Sequence, residues 1–149
     1  MDIFYKEALN EAKTAYEMNE VPVGCVIVKD GMIIGRGHNA MEGTRDPSAH
    51  AEVAAIREAA KTLGTWRLSG CTMYVTLEPC LMCASLTKKA RIKKVVIGAI
   101  EYKEGAFGSA VSINDLPPTD TFVQTEWLMD RESETLLKNF FKELRKSND

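Results

Sequence analysis

The stretch CTMYVTLEPCLMCASLTKKARIKKVVIGAI, residues 71–100, decides how the chain is built. Cys71 to Leu77 reads as a strand, rich in the β-branched and aromatic residues that suit a pleated, half-buried surface. Pro79 stands where a helix opens, its fixed φ suited to a first helical turn, and the helix is predicted to run to about Ala90. Lys94 to Ile100 then returns to strand. Strand, helix and strand in close succession set the theme for the rest.

Towards the N-terminus, residues 2–19 place Phe4, Ala8, Ala12, Ala15 and Tyr16 at helical spacing, and Pro22 is expected to end that helix. Gly24 to Lys29 and Met32 to Gly37 flank the tight-turn pair Asp30-Gly31, which together predict a β-hairpin. A polar loop, Asn39 to Pro47, leads to Ser48, a candidate cap for a helix starting at about Ala49 and stopping near Gly64. Towards the C-terminus, residues 101–120 read as loop, Phe122 to Trp127 as a fifth strand, and Arg131 to Lys146 as a closing helix. The tail Ser147-Asn148-Asp149 is expected to fray. The order α-β-β-α-β-α-β-β-α predicts an α/β fold: one mixed five-stranded sheet with helices on both faces.

Composition narrows the function classes. The chain has 149 residues, 45% hydrophobic and 27% charged, with net charge −2. That length suits one domain, 1–149, with its own core, and no apolar run approaches the roughly 20 residues of a membrane span. The charged start lacks a signal-peptide core, and the four cysteines then point to a reducing cytoplasm, where thiols bind metal or sit buried. A protein that grips nucleic acid with its whole surface is usually basic. A polyanion site here must be a local patch, and Lys88, Lys89, Arg91, Lys93 and Lys94 are the candidates for phosphate contact. A helix end carrying cations that complement its dipole is the plainer alternative. Lys142, Arg145 and Lys146 could extend the patch, Arg45 could meet a phosphate or pair with Glu42, and Phe107 could stack on a base or pack in the core.

Two segments carry chemistry: His50-Ala51-Glu52 and Pro79-Cys80-Leu81-Met82-Cys83, each opening a predicted helix. Cys80 and Cys83 lie one turn apart, and the positive helix end favours their thiolates. Zinc accepts such soft ligands, with the His50 imidazole as a third. Three protein ligands leave the fourth tetrahedral position for water, whose pKa zinc can bring near neutrality. Glu52 is spaced to reach that water rather than the metal, as a proton carrier. Alone, Cys-x-x-Cys could equally be a structural half-site or a redox pair; joined to His-x-Glu it points to catalysis. Cys25 and Cys71 fall in apolar strands and are read as small core residues.

His50-Ala-Glu52 with Pro79-Cys80-x-x-Cys83 resembles the cytidine/deoxycytidylate deaminase superfamily, whose zinc nucleobase deaminases carry this pattern. The segments VPVGCVIVKDG (21–31), GRGHNA (35–40), DPSAHAEVAAI (46–56), WRLSGCTMYVTLEPCLMC (66–83), ARIKKVVIGA (90–99) and LLKNFFKELR (136–145) are similar to the bacterial tRNA adenosine deaminases of the TadA type. The resemblance is thinnest from about Glu101 to Met129. It implies a three-layer α/β/α fold, one zinc on His50, Cys80 and Cys83, Glu52 as the proton shuttle, and hydrolytic conversion of a wobble adenosine to inosine. It also implies that Asn39 and the backbone N–H of Ala51 meet the base, that a tRNA anticodon stem-loop is the partner, and that the chain forms a homodimer through the helix after Cys83. Two alternatives stay open: a free nucleobase, nucleoside or related amino-heterocycle as substrate for the same chemistry, and a non-catalytic zinc module.

Overall fold

The predicted hairpin turns where the backbone can reverse most tightly. In the computed structural model, which describes residues 2–148, Asp30 and Gly31 both adopt positive φ, 50° and 76°, the geometry whose twist matches a right-handed strand pair. It joins β1 (Gly24–Lys29) to β2 (Met32–His38). Next come β3 (Thr72–Leu77), β4 (Lys94–Ala99) and β5 (Gln124–Trp127), and the sheet order is β2-β1-β3-β4-β5. β1 runs antiparallel to both β2 and β3, whereas β3–β4 and β4–β5 are parallel. The mixed five-stranded sheet is thus as expected, with boundaries within two residues.

Alternation along β1 separates the two faces. Cys25 and Ile27 join the main core with Ala51, Ala55 and Ile56 of α3 (Ala51–Leu63) and Ala84 of α4 (Leu81–Lys89). Val26 and Val28 point the other way, to Ala8 and Phe4 of α1 (Ile3–Glu17). Helix α5 (Arg131–Asn148) packs beside α1, and α2 (Met41–Thr44) is a single turn within the loop after β2. Two glycines let the helices approach the sheet: a Cβ on Gly24 would collide with the Ala8 and Ala12 backbone, and one on Gly37 with that of Ala51 and Ala55. The close seat at Gly37 fixes the first turn of α3.

Several boundaries depart from expectation. Helix α1 ends at Glu17, before Pro22, because Asn19 turns left-handed (φ 60°) and the Glu20 N–H closes back on the Ala15 carbonyl. Ser48 caps nothing; its N–H and hydroxyl both donate to Asp46 Oδ1, and α3 starts two residues later, with His50 as its extended N-cap. Pro79 precedes α4 rather than entering it, and Cys80 is the N-cap. The 101–120 loop contains a short 3₁₀ turn at Ile113–Asp115, and α5 continues through Ser147 and Asn148, while Asp149 lies outside the described residues. Cys25 and Cys71 are buried, unbridged core residues.

Candidate active site

Helices α3 and α4 start side by side, so two helix N-caps, His50 and Cys80, face one another. His50 Nδ1 lies 3.7 Å from Cys80 Sγ and 3.4 Å from Cys83 Sγ. All three ligand atoms fall within 4.8 Å of one another. The predicted triad is therefore assembled, and Nδ1 is the ring nitrogen that faces the sulfurs.

The electrostatics favour a metal-ready state. The Cys83 thiol facing Cys80 lowers the Cys80 pKa to about 4, with His50 helping against burial. That thiolate, followed by burial, pushes Cys83 upward, and the hydrogen bond to Cys80 raises His50. One sulfur is thus already a thiolate beside a partly buried imidazole and a second sulfur. Two soft sulfurs and one nitrogen, converging on one point at two positive helix ends, fit a divalent zinc.

Glu52, 3% exposed, sits in the first turn of α3. Burial pushes its carboxyl from 4.5 up to about 7, against the pull of its own backbone N–H and His50. A proton carrier tuned near neutrality can both accept and return a proton at working pH.

Asn39 lies buried at the pocket wall, and its Oδ1 accepts the Ala51 N–H at 2.8 Å. This overturns one expectation: the Ala51 N–H is already used, so it orients Asn39 instead of meeting a base. The carboxamide NH₂ of Asn39 is left to face the pocket. Lys88 is a second correction. It is 7% exposed, and its ammonium donates to the Ile113 and Leu116 carbonyls at 3.3 and 2.8 Å, tying the 3₁₀ turn to α4. It is not available to a phosphate. Lys89 is exposed, and Arg91 lies 5.9 Å over the Trp66 ring. Both stand at the far end of the nine-residue α4, about 13 Å from the Cys80 end. Phe107 is a core residue, and among the described residues Arg45 forms no ion pair with Glu42.

The pocket above the triad has a volume of about 180 Å³ and is walled also by Val21, Leu77, Glu101, Glu104 and Phe141. Sequence reasoning missed these. Their only common property is spatial, since they come from four separate segments.

Residues 2–99 match the family model of the cytidine and deoxycytidylate deaminase zinc-binding region. The chain belongs to the cytidine and deoxycytidylate deaminase family. It is 47% identical, over 97% of its length and 95% of the relative's, to a tRNA-specific adenosine deaminase of Aquifex aeolicus. A structure solved in studies of A-to-I editing by tRNA:A34 deaminases superposes with TM-score 0.86 at 42% identity, covering 90% of this chain and 98% of the other. Guanine deaminase of Bacillus subtilis superposes less well, with TM-score 0.63 at 33% identity, over 80% and 92% of the two chains. The chain is accordingly a zinc-dependent deaminase with the family's α/β fold, and its ligand triad and Glu52 all fall inside the matched region.

Proposed function

We propose that this deaminase converts adenosine to inosine at the wobble position of a tRNA anticodon loop. The observation that carries the reading is an open approach to the triad. The pocket shares Val21, Leu77, Glu101 and Phe141 with a groove of about 910 Å³ beneath α5. A free base needs a small closed pocket; a base extruded from a polymer needs room for its neighbours. The names of the relatives favour the same substrate, whereas the guanine deaminase is the weaker match.

His50, Cys80 and Cys83 would hold a zinc ion, which when bound would supply the Lewis acidity that makes water a nucleophile near neutral pH. Glu52 takes one proton from the attacking water and delivers it to the purine ring nitrogen, then carries the remaining proton of the added hydroxyl to the amino group, which departs as ammonia. Asn39, oriented by the Ala51 N–H, donates its NH₂ to the base. Lys89 and Arg91 are offered as outlying phosphate contacts. The reading includes a homodimer through the exposed first turn of α4, where Leu81 and Met82 are 45% and 41% accessible. It includes a cytoplasmic location, consistent with the lack of any described helix long and apolar enough to cross a membrane.

The test is incubation of zinc-loaded protein with an anticodon stem-loop containing a wobble adenosine, and mass spectrometry for inosine. Inosine formed by the wild type and lost in Glu52→Ala with zinc retained is the expected result. Ammonia released from guanine, cytosine or nucleosides with no inosine in the RNA would shift the substrate to a free base. An active Glu52→Ala would remove the mechanism.

A further inference from the structure

Glu78 is a buried carboxylate that the reaction scheme leaves without a task. It stands between β3 and the Pro79-Cys80 step, 2% exposed, and among the described residues it has no basic partner. Four donors surround it instead, all from one loop. Oε1 accepts the Glu101 N–H at 3.2 Å and the Ser109 hydroxyl; Oε2 accepts the Phe107 and Ser109 N–H groups at 3.0 and 3.2 Å. Its own N–H donates to the Ala99 carbonyl at 2.8 Å, which ties the end of β3 to the end of β4.

The loop closes on the zinc-ligand segment through the same hub. The Ala106 N–H donates to the Pro79 carbonyl at 2.9 Å, and Cys80 and Gly105 form an isolated antiparallel bridge. Position 105 must be glycine here, because a Cβ would strike the Glu78 carboxylate and the Glu101 carbonyl. Between these anchors lie Glu101 and Glu104, which wall the pocket over the triad.

We propose that Glu78 is a positioning residue for the deamination: it solvates the Glu101–Ser109 loop from within and thereby sets the substrate-facing wall beside the Cys80 ligand. A carboxylate suits the task because two oxygens can accept four donors. A glutamine of the same shape offers one acceptor oxygen and turns an NH₂ against N–H groups that need acceptors. The proposal rests on the deaminase reading, so its test carries a readout independent of turnover.

The variant is Glu78→Gln as purified holoenzyme. Zinc analysis is expected to give one ion per chain, and hydrogen exchange at the amides of Glu101, Phe107 and Ser109 is expected to quicken about tenfold or more. With the stem-loop, KM is expected to rise about tenfold while kcat per bound zinc stays within about threefold. A merely structural role would lower the fraction of competent enzyme, and so kcat, at constant KM. Unchanged amide protection, or unchanged KM with exchange quickened, overturns the proposal. Should Glu78→Gln lose its zinc or its fold, Ser109→Ala removes a single donor from the hub. Faster exchange at Glu101 and Phe107 with raised KM supports the proposal there, and wild-type values for both overturn it. A wild type that makes no inosine defeats the substrate assignment, while the exchange result still decides whether Glu78 holds the loop.

Discussion

Replacing Glu52 by glutamine should abolish turnover and, in the metal-free protein, raise stability in a pH-dependent way. The magnitude follows from burial. A carboxyl moved from 4.5 to about 7 on folding corresponds to about 3 kcal/mol of differential free energy. In the unfolded chain Glu52 loses its proton near its ordinary value, while the folded chain keeps it until about 7. Between those values the native state binds more protons, so wild-type stability falls as pH rises through the window and levels off above it. The glutamine variant has no such proton. Its advantage over wild type should grow by about 3 kcal/mol between about pH 4 and pH 8, with a smaller contribution from His50, whose pKa the Glu52 charge helps to raise. Urea denaturation of chelator-treated protein across that range measures the difference directly. With zinc loaded, the nearby dication favours the carboxylate and the gain should shrink. A difference that stays constant with pH, or narrows as pH rises, would refute the claim that burial makes Glu52 costly to ionise.

Three further outcomes are expected. Asn39→Ala should keep its zinc while kcat/KM falls about 100-fold, because both a base contact and the acceptor for the Ala51 N–H are lost; steady-state kinetics beside zinc analysis decides it. Lys88→Met should destabilise by about 2 kcal/mol, since the Ile113 and Leu116 carbonyls lose a buried cationic donor, and urea midpoints report it; an unchanged midpoint would return Lys88 to the surface. In the zinc-loaded enzyme kcat/KM should fall in acid as Glu52 and the ligands take up protons, and a flat profile from about pH 5 to 8 would contradict the assigned proton carrier.

The sheet was legible because its signals are local. Asp30-Gly31 dictates a hairpin by φ alone, and the β-branched runs at 24–29 and 94–99 have no competing reading. The triad was legible for the same reason, as ligand spacing within two short segments. Caps were misread wherever a tertiary partner displaced the local one. Ser48 has the chemistry of an N-cap, yet Asp46 takes it, and the first N–H of α3 is met by Asn39, twelve residues away. Lys88 looked like one of five surface cations because nothing local reveals the 3₁₀ turn that folds over it. The pocket walls at Val21, Glu101 and Phe141 were invisible, being neighbours only through the sheet order.

Three buried glutamates differ in how many donors surround them. Glu20, Glu52 and Glu78 are 4%, 3% and 2% exposed, and among the described residues none forms an ion pair. Glu20 is met by the Glu42 and Gly43 N–H groups, and Glu78 by four loop donors. Each of those carboxylates is held by the segment it organises: the turn after Asn39 in one case, the loop over Cys80 in the other. Glu52 has its own N–H and the Cys83 sulfur, too little to offset desolvation, so its proton affinity rises. Donor supply therefore separates three chemically identical, equally buried side chains: two are enclosed by donors, and the one proposed as proton carrier is left short of them. Glu52 and Glu78 both line the pocket, whereas Glu20 holds the turn from which Met41 reaches it. A substitution that brought a new backbone donor to Glu52 should then damage catalysis even with the zinc ligands and the pocket walls intact, because it would hold as an anion the group that must carry the proton.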